Sequence, residues 1–370
     1  MTNHPLPRTM AGVLLTGHGG LDKLQYRQDL PVPQPGANEV LIRIGAAAVN
    51  NTDINTRIGW YSKAVTGDTN QGAASGFDTV NDDDASWSGT PLAFPRIQGA
   101  DCCGEIVAVG AHVDAGRIGE RVLVRVLQAP LTGNGDYHCI TYGSECDGGF
   151  AQYAVVRASE AFAVNSALSD AELASFPCAY STAENMLERA GLKTGERVLI
   201  TGASGGVGSA AVQLAKRRGA YVIAVCGVDK CSDIKELGAD LVIPRGESLV
   251  GTLGRDSVQV VVDLVAGPQW PQLCELLCRA GRYAVAGAIA GPIVELDVRT
   301  LYLKDLSFFG CTWQPRRVFE NLVGYIERGE IRPLIAKIYP LGQIVAAQED
   351  FMAKKFIGKL VLVPPQEEAD

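Results

Sequence analysis

No window of this sequence reaches the ~18 consecutive uncharged apolar residues of a membrane span, and no part carries the basic excess that would hold a polyanion. The formal net charge is −8, so no positive field draws phosphate backbones or anionic lipid surfaces. Nucleic acid and membranes are therefore excluded as expected partners. The N-terminal MTNHPLPRTMAGVLLTGHGG lacks a positive segment leading into an apolar one, and the expectation is a cytoplasmic protein. There is no paired Cys-x2-Cys, no internal repeat and no low-complexity tract; the ten cysteines are scattered. Without a secretory signal they are expected as reduced, mostly buried thiols. The chain does have length: 370 residues exceed what one core usually organises, which gives a prior of about two domains. With 47% hydrophobic and 20% charged residues, both can fold around real cores.

Short β-rich runs come first: Val40 to Val49, Ile106 to Val109, Arg121 to Val126 and Ala151 to Val156, punctuated by Gly, Pro and Asp turns. They predict a compact β domain. Between them, Ser62 to Ser88 is rich in Gly, Asp, Asn, Ser and Thr and reads as a long surface loop. Ala171 to Arg189 reads as a helix, after which β-branched runs alternate with helical patterns. The runs are Arg197 to Thr201, Tyr221 to Cys226, Leu241 to Ile243, Gln259 to Leu264 and Tyr283 to Ala286, with helices at Val207 to Arg218 and Trp270 to Arg279. Alternation of this kind implies a parallel sheet and an α/β fold.

The stretch RVLITGASGGVGSAAVQLAKRRGAYVIAVCGVDK reads as strand, glycine turn, amphipathic helix and second strand. Gly205 and Gly206 let backbone amides approach a pyrophosphate, Gly208 permits tight helix-to-strand packing, and the new helix offers its unpaired N–H groups to the anion. The turn Ala203, Ser204, Gly205, Gly206, Val207 and Gly208 is thus a candidate dinucleotide site. Ala203 replaces the first fingerprint glycine, with Gly202 immediately before it. At the end of the second strand, an NAD-selective site usually carries a carboxylate on the ribose. Here Cys226 stands in that place, followed by Gly227 and, nearby, Lys230, which can pair with a 2′-phosphate. NADPH is favoured over NADH, although Lys230 also fits the start of the next helix and Asp229 is able to reach the ribose.

VNNTDINTRIGWY (Val49 to Tyr61), PRIQGADCCGEIVAVG (Pro95 to Gly110), GGFAQY (Gly148 to Tyr153), STAENML (Ser181 to Leu187), TGASGGVG (Thr201 to Gly208), VVVDLVAG (Val260 to Gly267) and GKLVL (Gly358 to Leu362) occur in that order. With them nearly the whole chain resembles the medium-chain dehydrogenase/reductase superfamily, in its zinc-independent quinone oxidoreductase-like and enoyl reductase-like branch. The resemblance implies a GroES-like β domain at 1–166 and 313–370, with a Rossmann doubly wound parallel-sheet domain at 167–312 between. The active site lies in the cleft between them. It implies cofactor contacts from Thr182, Ala266, Gly267, Gly287 and Lys359 besides the glycine turn, and a homodimer formed through the Rossmann edge in the Tyr283 to Leu306 region.

Zinc-dependent relatives place metal ligands where this chain has Asn50, Ala100-Asp101 and Cys178. Two strong ligands are gone, and no metal is expected. Cys178 with Asp53 and Asp101 is the substitute set left for a weak site, and Cys178 reads equally as a buried thiol. His138, Cys139 and Cys146 lack the spacing of a structural zinc lobe and read as loop residues.

Without a Lewis acid, conjugate reduction is the easier chemistry: hydride adds to an enone, quinone or enoyl compound, and the resulting oxyanion needs donors and then a proton. The resemblance puts Asn50, Asp53 and Tyr61 in the cleft as catalytic candidates. Tyr61 is a candidate to orient the carbonyl or deliver a proton, and Asn50 to donate a hydrogen bond to the same oxygen. The plainer alternatives are that Asn50 and Asp53 close a turn, and that Tyr61 packs beside Trp60. The loop after Tyr61 is either a cover for the substrate side of the cleft or surface decoration. Two other functions stay open: an alcohol dehydrogenase-type enzyme with a substitute metal site, and a non-catalytic NADPH-binding relative.

Overall fold

The β-branched runs of the first third alternate with turn residues, so they pair into antiparallel sheet. The computed structural model describes residues 6–128, 137 and 139–366; His138 lies outside them. At the centre is the strand Glu39–Ala48. It pairs antiparallel with Cys103–Val109, with Tyr153–Arg157 and, through Ala47 and Ala48, with Lys359–Val363. The last of these lies parallel to Ile335–Pro340, while Arg121–Val124 and Ala161–Ala163 extend the other edge. The C-terminal segment thus returns to the N-terminal sheet, which carries Lys359 to the start of the helix Asn51–Ile58.

The second large sheet has six strands, in the order Leu241–Pro244, Tyr221–Cys226, Arg197–Ile200, Val258–Asp263, Leu277–Val285 and Ser307–Gly310. All neighbours are parallel. In chain order this is 3-2-1-4-5-6, the doubly wound arrangement whose reversal point opens a crevice at the carboxyl ends of the strands. Helices cover both faces, so Val198, Leu199, Ile200, Val260, Val261 and Val262 are all fully buried, as an unbroken apolar strand requires. The helix Gly206–Arg217 turns Ala210, Ala211, Leu214 and Ala215 onto the sheet.

Three expected elements differ. Ala171 to Arg189 is two helices, Asp170–Leu173 and Pro177–Arg189, because Pro177 has no N–H for an interior turn and sits at a first-turn position instead. The helix from Trp270 stops at Leu276, and Cys278 and Arg279 belong to the strand Leu277–Val285; Ala280 there has a positive φ of 60°. The edge of the sheet is Ser307–Gly310, with Tyr283 one strand inside, so the expected Tyr283 to Leu306 segment is not the edge strand itself. Among the described residues no helix is long and apolar enough to cross a membrane.

Candidate active site

The crevice begins at the glycine turn. Gly202 adopts φ +59°, a left-handed conformation that Cβ-bearing residues disfavour, and so takes the tight-turn role that the spacing had put at Ala203. Gly208 packs so closely that a Cβ there would lie 2.2 Å from the Gly202 carbonyl oxygen. Gly205 caps the helix without a side-chain hydrogen bond, and a Cβ on it would meet only one atom, at 3.4 Å. The free amides of Gly206, Val207 and Gly208 therefore open onto space an anion can enter, which fits a pyrophosphate. Ala179, on the helix that carries Thr182 one turn on, packs against Gly206.

The loop opposite is shaped by Asp263, a fully buried carboxylate at the end of its strand. It accepts from Thr201 Oγ at 2.5 Å, from the Val265 N–H at 2.9 Å and from the Ala266 N–H at 3.1 Å, and Tyr283 Oη also donates to it. These bonds hold Ala266 and Gly267 at φ of 52° and 64°. Gly287 runs against the Leu264 backbone and Gly267 against Ala290, close enough that a Cβ on either would fall within 3.0 Å of a carbonyl oxygen. Ala266, Gly267 and Gly287 are thereby gathered at the carboxyl ends of adjacent strands. The sequence reading missed Asp263, although an Asp closing an apolar strand within VVVDLVAG is a visible signal.

At the adjoining strand end Cys226 is 3% exposed, its Sγ 3.8 Å from that of Cys231. Gly227 begins a short turn over which the Asp229 carboxylate folds. Lys230 Nζ donates to the Lys354 carbonyl, linking this strand end to the C-terminal segment.

Asn50, Asp53 and Lys359 come together. Asn50 caps the helix Asn51–Ile58, and its N–H donates to Asp53 Oδ2 at 2.7 Å in a capping box. Its side-chain Nδ2 donates to Asp101 Oδ2 at 2.8 Å and to the Ala48 carbonyl at 3.2 Å, so both amide protons are engaged within the protein. Its Oδ1 accepts from Lys359 Nζ, which also lies 2.8 Å from Asp101 Oδ2. Asp101 Oδ1 accepts the Cys178 N–H at 2.7 Å. Burial raises Asp53 to about 7, with the Asn50 N–H and the Lys359 charge pulling the other way and Asp101 adding to the rise. Burial, reinforced by Asp101, pushes the Cys178 thiol far above its ordinary value.

These residues do not fit a zinc ion. Ala100 supplies no donor, and the Asn50 oxygen already faces a buried ammonium. Among the described residues no group of three His, Cys, Asp or Glu side chains is arranged to hold a metal. Cys139 and Cys146 are partly buried free thiols.

Tyr61 lies farther along the same segment. Its hydroxyl donates to Thr52 Oγ at 3.0 Å, and burial raises it to about 12, so it stays protonated across the neutral range. Trp87 Nε1 donates to the same Thr52 oxygen at 3.1 Å, its ring edge-on to Tyr61 with 6.0 Å between centroids. Both ends of the Ser62 to Ser88 loop therefore meet at the helix start. Along its course the Trp60 indole donates to the Gly67 carbonyl at 3.1 Å. The fully buried Arg57 donates to the Ala73 carbonyl at 3.0 Å, and the Thr69 N–H reaches the Ile289 carbonyl, beyond the strand Leu277–Val285, at 3.2 Å. A segment that reads as an open surface loop is thus pinned to the helix Asn51–Ile58 and to the chain beyond the strand Leu277–Val285; Thr52, Trp87 and Arg57 had given no sign of this in sequence.

Known proteins match this chain along nearly its whole length. Residues 36–166 match the alcohol dehydrogenase GroES-like domain family, and residues 206–328 match the zinc-binding dehydrogenase family. The acryloyl-coenzyme A reductase of Metallosphaera sedula is 29% identical over 95% of this chain and 99% of that protein. The quinone oxidoreductase of Sus scrofa is 27% identical over 96% and 98%. A solved structure from Sinorhizobium meliloti 1021, provisionally named an alcohol dehydrogenase, is 46% identical, covers 98% of each chain and superposes with a TM-score of 0.86. Members of this family use nicotinamide cofactors, and the chain is an oxidoreductase of the medium-chain dehydrogenase/reductase superfamily.

Proposed function

We propose that the chain is an NADPH-dependent, zinc-independent reductase that delivers hydride to an activated alkene or a quinone, acting as a homodimer. The observation that carries this reading is the buried Asn50–Asp101–Lys359 network: the positions that would take a metal are filled by an amide and an ion pair. Relatives named as an acryloyl-coenzyme A reductase and a quinone oxidoreductase support the same class of acceptor. We take the domain boundaries at 166/167 and 312/313.

When bound, the dinucleotide supplies the hydride. In this reading the amides of Gly206 to Gly208, with Gly205 and the side of Ala203 and Ser204 beside them, hold its pyrophosphate. Thr182, Ala266, Gly267 and Gly287 border the nicotinamide half. The Asp229 carboxylate moves off Gly227 to admit the ribose, and Lys230 turns from the Lys354 carbonyl to the 2′-phosphate, with Cys226 in place of a strand-end carboxylate. Asn50 keeps Lys359 and Asp101 in place instead of donating to substrate. Asp53, near neutral in its pKa, is a proton store behind them. Tyr61, with Thr52 and Trp87, shapes the substrate side, and the 62–88 segment covers it.

The test is a titration of the protein with NADPH and NADH, with activity measured before and after chelator treatment. NADPH preference and full activity after chelation support the reading; activity lost to chelator and restored by zinc overturns it. The 46% identical relative provisionally named an alcohol dehydrogenase favours a second reading, an alcohol/carbonyl pair as substrate. Turnover of simple alcohols with no reduction of enones or quinones would select it.

A further inference from the structure

Hydride arriving at an activated alkene or quinone drives negative charge onto an oxygen, and that oxygen must meet a cation or a strong donor. In a zinc dehydrogenase a metal supplies the charge; here the residues at that place reject one. Lys359 is the one buried lysine among the described residues. Its stem passes the glycine turn, with Cδ 3.1 Å from where a Cβ on Gly206 would lie. Its Nζ ends between Asn50 Oδ1 and Asp101 Oδ2, side chains 309 residues and, for Asp101, an entire domain away in sequence.

The ammonium has three N–H groups. Two face Asn50 and Asp101, and among the described residues no acceptor is seen for the third. Asn50 has no free donor of its own, since both protons on Nδ2 are engaged. Asp101 is fully satisfied by the Cys178 N–H, Asn50 and Lys359, so it fixes the ammonium rather than reaching outward. Lys359 also lies beside the turn that would carry the cofactor.

We propose that Lys359 is the electrophilic group of this cleft: braced by Asp101 and Asn50, its remaining N–H bonds the substrate oxygen that becomes anionic on hydride transfer. This rests on the reductase reading above. The electron pair of the cofactor C–H bond forms the new C–H bond, the displaced π pair goes to the oxygen, and the ammonium holds that oxygen by a hydrogen bond. Water then supplies the proton, and Lys359 ends in the state in which it began. Asp101 and Asn50 are positioning residues that act through it.

The experiment uses the full chain and the enone or quinone that the unaltered protein reduces. NADPH affinity, kcat and KM are measured for Lys359→Met, Lys359→Arg and Asp101→Asn. The expected result is a loss in kcat at saturating NADPH of about 100-fold or more for Lys359→Met, over and above any NADPH affinity lost with its place beside Gly206, partial recovery in Lys359→Arg, and a smaller kcat loss in Asp101→Asn. If Lys359→Met instead weakens NADPH by about 100-fold and retains kcat at saturating cofactor, Lys359 is a phosphate ligand and the proposal fails. It fails also if kcat is untouched. Should Lys359→Met not fold, Lys359→Arg and Asp101→Asn decide: unchanged kcat in both overturns the proposal, and a kcat loss at unchanged NADPH affinity supports it. An unaltered protein that reduces no enone, quinone or enoyl thioester sinks the reductase reading itself, a distinct outcome.

Discussion

Asp53 is 1% exposed, with one carboxylate oxygen bonded to the Asn50 N–H at 2.7 Å and the other without a partner. Burial raises it from 3.8 to about 7, against the pull of the Asn50 and Ala100 N–H groups and of Lys359 and with a push from Asp101. Its folded value therefore lies above its unfolded one, and the native protein keeps this proton to higher pH than the unfolded chain. The stability so gained is fully present below the unfolded pKa and is lost as pH rises through about 7. At about 1.4 kcal/mol per pH unit, the loss between about pH 5 and about pH 8 comes to about 3 kcal/mol. Asp53→Asn retains an oxygen for the Asn50 N–H but cannot ionise. Urea unfolding of both proteins, followed by tryptophan fluorescence, is expected to show the variant gaining about 3 kcal/mol on the unaltered protein across that range. A difference that stays constant with pH would refute the reasoning, and one that moves against the variant as pH rises would mean that the site stabilises a carboxylate.

Gly205→Ala meets only an ordinary contact and is expected to fold normally while its methyl blocks the pyrophosphate, cutting NADPH affinity by about tenfold or more. Gly208→Ala drives a methyl into the Gly202 carbonyl and is expected to lower the thermal midpoint as well; calorimetry with NADPH titration separates the two. Cys226→Asp puts a carboxylate where a 2′-phosphate would lie, and competitive binding should register a shift of about tenfold or more from NADPH towards NADH. Replacing 66–82 with a short glycine linker removes the cover proposed for the cleft, so the substrate KM is expected to rise about tenfold with NADPH affinity unchanged; steady-state kinetics checks this.

The parallel sheet and the glycine turn were legible because both rest on local pattern: unbroken β-branched runs, and glycines at fixed spacing before an amphipathic helix. Even the departure at Ala203 was visible, though only the backbone reveals that Gly202 takes over the left-handed turn. The helix break before Pro177 and the early end at Leu276 escaped because apolar periodicity continues through both. Asn50 and Asp53 were candidates by resemblance, and the capping box they form fits the simple turn-closing role weighed beside it. The Lys359 contact could not be read locally, because only the return of the last strand to the first sheet brings it to Asn50. Composition made 62–88 look like open loop, whereas a few buried residues, Val65, Thr69, Ala85 and Ser86, anchor it.

Hydride transfer is the central claim, and stopped-flow mixing of the NADPH-loaded protein with an enone, a quinone and an enoyl thioester, each with and without chelator, tests it most directly. The account predicts rapid loss of the reduced cofactor's absorbance with at least one of these acceptors, at the same rate in chelator. Cofactor that binds but is oxidised by none of them, or oxidation that stops when metal is removed, would contradict it.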